Sequence, residues 1–270
     1  MTSITSDPIL EIRFLNAGKG AGSFYVDTLP IHTATVTGLP DELDAIIATA
    51  DLQGRERFQD AQGPPRLLGE VLPRRLRCEI LPELGLDAIR CAAVLAGDFY
   101  TVPNLDSRGG SGDVTGVWKA FCEEFRWVAG VAGNHDTFEQ SLHPKRRIHK
   151  KAHYLDGQLQ RLDGLLIAGV GGIIGNPRKP QRKSDQEYLA HVERLAEKHP
   201  DVFLMHDGPD GGERHLRGQT LVRQIFERMP PTMIVRGHSH WQTPLVELSN
   251  STQILNVDCR VVILRREDAG

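Results

Sequence analysis

Short apolar runs alternate with amphipathic stretches along the chain from about residue 45. The runs carry few polar positions, which is typical of strands that are buried on both faces of a sheet. Their alternation with helical patterns predicts an α/β fold. The predicted strands, in chain order, are residues 45–50, 91–96, 126–132, 165–170, 202–205 and 232–235.

Apolar residues at helical spacing predict three helices between these strands. One follows Ser184, which forms a capping-box pattern with Glu187. A second helix has an apolar face within residues 221–229 and stops at Pro230, and a third has Asp113 as its N-cap. These apolar faces are expected to pack in the core.

The ends of the chain and residues 66–84 follow other patterns. Gly and Pro punctuation in residues 1–43 predicts three short strands, so we expect an N-terminal extension packed on a main domain of residues 44–270. Residues 66–84 are predicted to be helical with an interruption at Pro73. The tail at 245–264 predicts two or three further strands.

The composition of the 270-residue chain is that of an ordinary globular protein, with 40% hydrophobic and 25% charged residues. The formal net charge of −3 provides no global field that would attract polyanions. No run is long enough for a membrane helix and the first residues lack a signal pattern, so we expect a cytoplasmic protein with no membrane contact. The 4 scattered cysteines are expected to be buried thiols.

Polar residues that directly follow the predicted strands carry the candidate chemistry. The carboxyl ends of strands meet at one crevice in α/β folds, so these residues are expected to converge. Five of the six segments contain Asp, Asn or His, which are ligands of divalent metals, and neighbouring glycines allow close backbone approach. The segments are Asp51-Leu52-Gln53-Gly54, Gly97-Asp98, Gly133-Asn134-His135-Asp136, residues 169–175, His206-Asp207-Gly208 and Gly237-His238-Ser239-His240.

The order of these segments resembles the motifs of the calcineurin-like metallophosphoesterases. The family pattern is D-x-H, G-D-x-x-D, G-N-H-[DE], a lone His and G-H-x-H, and residues 45–258 follow it in order, with full matches at 133–136 and 237–240. The resemblance implies a four-layer α/β/β/α sandwich of two mixed sheets. It also implies a metal-dependent enzyme that hydrolyses a phosphate mono- or diester.

A site for two divalent ions is part of what the resemblance implies. A hydroxide between the ions would attack phosphorus in line with the leaving group. His135 would act as proton donor, and Asp136 would hold its ring by a hydrogen bond. Mn²⁺ is the expected metal, with Fe, Zn²⁺ and Mg²⁺ as alternatives. Asp98 would bridge the ions, one of which would be held by Asp51, Gln53 and His240, and the other by Asn134, His206 and His238.

The chain departs from the family pattern at two positions. Gln53 stands where the family has a histidine, and Thr101 stands where it has a second aspartate. An amide oxygen is a weaker donor to zinc than imidazole, so the first metal site is expected to be weak, Mn²⁺-selective or empty. Thr101 is interpreted as the loss of an orienting partner and not of a ligand.

Two basic clusters follow predicted strand ends. They are either ordinary solvated surface or a site that captures a second phosphate of a nucleotide or a nucleic-acid backbone. The clusters are Lys145, Arg146, Arg147, Lys150 and Lys151, and Arg178, Lys179, Arg182 and Lys183.

The main hypothesis is therefore a phosphoesterase whose substrate is a phosphate ester, with a nucleotide as a candidate. Two alternatives stay open. Since fold does not fix function, the first is a non-catalytic member of the same fold that binds a protein partner. The second is a nuclease acting on DNA or RNA, whose binding would fall steeply with salt.

Overall fold

The computed structural model describes residues 3–18, 23–56, 66–107, 109–138 and 148–267. The α-helices in these ranges are α1 (Leu68–Arg75), α2 (Thr115–Glu124), α3 (Asp185–Ala196) and α4 (Thr220–Glu227). The strands are β1 (Ser3–Ile4), β2 (Leu10–Ala17), β3 (Phe24–Val36), β4 (Ala45–Ala50), β5 (Arg55–Glu56), β6 (Cys91–Leu95), β7 (Gly112–Asp113), β8 (Val128–Gly130), β9 (Asp136–Thr137), β10 (Ala152–Tyr154), β11 (Gln158–Leu162), β12 (Leu165–Val170), β13 (Ile173–Ile174), β14 (Arg182–Lys183), β15 (Val202–Met205), β16 (Met233–Arg236), β17 (Leu245–Glu247), β18 (Gln253–Asn256) and β19 (Arg260–Arg266).

Two mixed sheets form the centre of the molecule. Among the described residues, the larger sheet has the strand order β10-β8-β6-β4-β19-β3-β2-β5, with β1 paired to β3, and the smaller has the order β11-β12-β15-β16-β18-β17. Strands β4, β6, β8 and β10 are parallel, as are β12, β15, β16 and β18. Each sheet therefore gathers several strand carboxyl ends at one edge.

The side chains of successive strand residues divide the interior into three apolar layers. In β4, Ile47 packs with the residues of α1 and α2, whereas Ile46 packs between the two sheets. In β15, Leu204 packs between the sheets, whereas Phe203 packs with α3 and α4. These three apolar layers separate four layers of secondary structure in the order helix, sheet, sheet and helix, which confirms the four-layer α/β/β/α fold class.

Most of the predicted elements are present. Strands β4, β12 and β15 have the predicted bounds, β8 is shorter than predicted, and the predicted helices appear as α2, α3 and α4. The tail contains three strands, β17 to β19. The four cysteines are free thiols. The expectation that they are buried is confirmed for Cys91 and Cys122, whereas Cys259 is half-buried and Cys78 is exposed.

The predicted interruption at Pro73 is wrong in position. Helix α1 continues through Pro73 to Arg75 and then widens into a π-helical turn, Leu76–Ile80. Proline removes one backbone hydrogen bond from a helix. Here Leu68, Leu72 and Leu76 are all buried on one face, so packing keeps the chain helical.

The N-terminal segment contributes strands to the large sheet. Strand β3 runs parallel to β19, with Ile31 opposite Val261, and β2 runs antiparallel to β3 and β5. Two of the three strands are longer than the short strands expected, since β2 has 8 residues and β3 has 13. The division between residues 43 and 44 stays a prediction. None of the described helices is long and apolar enough to cross a bilayer.

Candidate metal centre

Strand ends from both sheets converge on one place. Asp51 and Asp98 follow β4 and β6 of the large sheet, and Asn134 lies in the loop after β8. His206 follows β15 directly, and His238 lies two residues after the end of β16, both in the smaller sheet. The site is thus assembled where the carboxyl ends of the two sheets face each other, as expected for an α/β fold.

The local backbone turns sharply at the donor residues. Asp51, Asp98 and His238 have left-handed φ values of 54°, 59° and 70°, a conformation that costs energy for residues with a Cβ and that clusters at functional sites. Glycines make room for these turns. A Cβ on Gly133 would collide with the Asp98 carboxylate, and a Cβ on Gly237 would collide with that of Asp51.

The carboxylate of Asp98 lies at the centre of the group. Its Oδ2 is 3.2 Å from His206 Nε2 and 3.4 Å from Gln53 Nε2. Its Oδ1 accepts the backbone N–H of His135 at 2.8 Å. The ligand atoms of Asp98, His206 and His238 all lie within 4.8 Å of one another. Three of the predicted metal ligands are therefore brought together.

Buried acceptor atoms that face no hydrogen-bond donor show that this group suits a cation. His206 Nδ1 lies 2.8 Å from the carbonyl oxygen of Ala96, which can only accept, so Nδ1 carries the proton and Nε2 faces Asp98. In the described part of the chain, Asn134 Oδ1 is buried without a hydrogen-bond partner, and His206 Nε2, with the proton on Nδ1, faces another acceptor, Asp98 Oδ2, instead of a donor. Such orphaned buried atoms are rare in proteins and mark an ion or water site. One carboxylate, one amide oxygen and two imidazoles match a divalent-metal site.

The remaining predicted ligands have other contacts. Asp51 Oδ2 accepts the backbone N–H of His238 at 2.9 Å, and Gln53 directs its amide nitrogen toward Asp98. His240 has a 57% exposed side chain, and its Nδ1 lies 3.2 Å from Asp258 Oδ1. Asp51 and Gln53 thus lie beside the central group, whereas His240 is paired outside it.

The electrostatics of the group favour a positive charge at its centre. Burial disfavours the charged His206 imidazole, but the carboxylates of Asp98 and Asp51 outweigh burial and raise the pKa of His206 to about 10. Burial and repulsion by Asp258 raise the pKa of Asp51 well above its usual range. Burial and the nearby charge of His206 lower the pKa of His238.

Asp136 holds the loops beneath the site. Its carboxylate accepts the backbone N–H groups of Asp98 and Phe99 at 2.8 Å and of Gly133 at 2.9 Å. The resemblance implied that the His135 ring donates a hydrogen bond to Asp136, and the structure corrects this, because His135 Nδ1 has no hydrogen-bond partner among the described residues. Both oxygens of the carboxylate thus accept backbone N–H groups. Burial, together with the nearby charge of Asp98, raises the pKa of Asp136 to about 6.

Two cavities open onto the group. The first, of about 360 Å³, is lined by Asp51, Gln53, Asp98, His135 and His238 together with residues that the sequence did not indicate, including Asp258. The second, of about 840 Å³, is lined by His238 and His240 with Arg214, His215 and Arg217.

One of these additional residues could have been predicted from the sequence. Asp258 lies just after β18, so the same strand-end argument that pointed to Asp98 would have found it. Arg214 and Arg217 lie in a connection between elements and belong to no periodic pattern.

The basic clusters predicted from the sequence are only partly described. Lys145, Arg146 and Arg147 lie outside the described residues. Lys151 donates to Phe125 O at 2.8 Å, and Lys183 is buried and paired with Asp156 at 2.9 Å. These two lysines stabilise the protein itself.

Comparison with known proteins identifies the family. The family model described as calcineurin-like phosphoesterase matches residues 46–242, which is more than half of the chain. The chain belongs to this family, and the resemblance drawn from its motifs is confirmed. No curated protein matches the chain. One solved structure, a protein of unknown function, AQ665, from Aquifex aeolicus, aligns with 11% identity over 81% of this chain and 95% of that one, with a TM-score of 0.36.

Asp136 provides a test of how the loops are held. Asp136→Ala would leave three buried N–H groups without an acceptor, so we expect the free energy of unfolding to fall by about 3 kcal/mol or more. Asp136→Asn keeps one acceptor oxygen and should lose less. Urea denaturation measures both. Unchanged stability of Asp136→Ala would show that these loops do not depend on the carboxylate.

Proposed function

We propose that this protein is a metal-dependent phosphoesterase that hydrolyses a phosphate mono- or diester with two divalent ions, Mn²⁺ being the expected metal. Family membership supports a hydrolase of this type. Asp98, Asn134, His206 and His238 would hold one ion. Asp98 would also contact the other, with Asp51, Gln53 and His240 as its further ligands. Such ions activate water and stabilise charge on phosphoryl oxygens.

The observation that carries the proposal is the cluster around Asp98. The ligand atoms of Asp98, His206 and His238 lie within 4.8 Å of one another, and His206 Nε2 is buried without a hydrogen-bond partner among the described residues. A group of this kind is unfavourable unless a cation or proton occupies it. Its position beside an open cavity gives a substrate access to it.

His135 is the proposed proton donor to the leaving group. It lines the cavity, and its backbone N–H, not its ring, contacts Asp98. The ring is therefore left for substrate. An imidazole that reaches the leaving-group oxygen can act as its general acid.

The two alternative functions are less well supported. A scaffold that only binds a protein has no need for unpartnered buried metal donors such as His206 Nε2. A nuclease would need an extended basic surface. Among the described residues of the predicted basic clusters, Lys150, Arg178 and Lys179 are exposed, whereas Lys151 and Lys183 bind within the protein and do not extend that surface. The cytoplasmic location stays a prediction.

Removal of metal tests the proposal directly. We expect hydrolysis of p-nitrophenyl phosphate or bis(p-nitrophenyl) phosphate to disappear with a chelator and to return with Mn²⁺, because carboxylate and neutral donors release an ion by mass action. Metal analysis of the same samples gives the number of ions bound. Turnover that is insensitive to the chelator would contradict the metal mechanism.

His135→Ala tests the proton donor. We expect turnover to fall about 10²-fold or more, the usual scale for loss of a general acid, while metal content stays the same, because the backbone N–H bond to Asp98 is retained in the variant. His191→Ala on helix α3 serves as a control and should leave turnover unchanged. If His135→Ala loses metal instead, His135 is a ligand.

Gln53→His tests the departure from the family pattern. If Gln53 is a ligand, the new imidazole should increase the affinity for Zn²⁺ relative to Mn²⁺. Gln53→Ala is the matched control, since it removes the amide without adding a donor. Binding isotherms for both metals give the result. Identical stoichiometry and preference in all three proteins would place residue 53 outside the metal coordination.

A further inference from the structure

The β2–β3 hairpin forms one wall of the cavity that contains the metal centre. Asn16 and Tyr25 lie opposite each other in the hairpin ladder. Both line the same cavity of about 360 Å³ as Asp98 and His135. The hairpin precedes residues 46–242, the part of the chain that matches the family.

Contacts on both sides fix the hairpin relative to the metal centre. Strand β3 pairs with β19, and β2 pairs with β5 through Phe14 opposite Glu56. Phe14 is 1% exposed and packs against Gly54, where a Cβ would collide with its ring. Gly54 adjoins Gln53, so the hairpin is attached directly to the loop that carries two predicted ligands.

Asn16 and Tyr25 contribute an amide and an aromatic ring to this wall. The Asn16 amide donates to Asp27 at 3.1 Å and accepts the N–H of Ala17 at 2.8 Å. Tyr25 lines the cavity and is 39% exposed. Tyr100, which packs over Gly112, supplies a second aromatic ring to the same cavity.

The lining offers no cationic side chain to a second anionic group. Among the described residues that line this cavity, none is Lys or Arg. A further phosphate would therefore have no positively charged side chain to bind here. A volume of about 360 Å³ is within the usual range for small-molecule sites, and aromatic side chains bind planar rings by stacking.

We propose that Tyr25 on the β2–β3 hairpin binds the organic part of the substrate, and that this part carries a planar aromatic ring such as a nucleobase. The inference rests on the proposed function, which places the phosphate at the metal centre. The hairpin is then the element that sets substrate preference, and it lies outside the part of the chain that defines the family.

Binding measurements can separate the ring site from the phosphate site. In the Mn²⁺-loaded protein, calorimetry would compare adenosine monophosphate with inorganic phosphate. We expect Tyr25→Ala to raise the Kd of adenosine monophosphate about fivefold or more, the scale of a lost stacking contact, and to leave the Kd of phosphate unchanged. Tyr25→Phe should retain the wild-type affinity.

Phe24→Ala is the matched control. Phe24 is the neighbouring residue on β3, 59% exposed, and it does not line the cavity. Its substitution should leave both constants unchanged, because neighbouring strand residues point to opposite faces.

The outcomes distinguish the two proposals. An unchanged Kd for adenosine monophosphate in Tyr25→Ala, or equal weakening of both ligands, would overturn the role of Tyr25. Tyr25-dependent binding in a protein that hydrolyses no phosphate ester would contradict the proposed function alone and support the ring site. A protein that binds neither ligand with any metal would contradict both.

Discussion

The structure around the site depends on the burial of one carboxylate, that of Asp98. It is 3% exposed, and a buried charge is costly unless hydrogen bonds and opposite charge compensate it. The compensation comes from the N–H of His135 and from His206. Both groups must be held in place, and Asp136 holds the loop of Asp98 to the loop of Gly133 through its hydrogen bonds. Asp98 thus faces the site, whereas Asp136 holds together the loops beneath it.

The four-layer fold is what allows this arrangement. Because helices cover the outer face of each sheet, central strands such as β6 and β15 are apolar on both faces, and polar side chains follow at their ends. The carboxyl ends of the two sheets meet across the inner layer, so Asp98 from one sheet contacts His206 from the other. Left-handed backbone at Asp51 and Asp98 then turns the chain sharply off each strand. Packing of the inner layer thus determines the distance between donors.

Much of the fold and the central donors could be predicted because their signals are local. A buried strand followed by Gly-Asp or by His can be predicted from a few neighbouring residues, as at Asp98 and His206. Side-chain pairing is not local. His240 contacts Asp258, which comes from another strand end, and no spacing in the sequence fixes that choice. The position of the β2–β3 hairpin depends on the pairing of β3 with β19, from opposite ends of the chain. The predicted interruption at Pro73 is wrong because burial of Leu72 and Leu76 outweighs the lost hydrogen bond.

The two cavities that border the site differ in the charge of the side chains that line them. His238 borders both. One cavity holds carboxylates and tyrosine rings, and the other holds Arg214 and Arg217. The arginine side therefore stabilises negative charge on a bound molecule, whereas the described residues on the hairpin side include no Lys or Arg. For the proposed phosphate-ester substrate, this asymmetry would favour a single orientation in which the organic end points toward the hairpin. In the proposed reaction that orientation would place the leaving group next to His135, since that side chain lines the cavity of the hairpin and not that of the arginines.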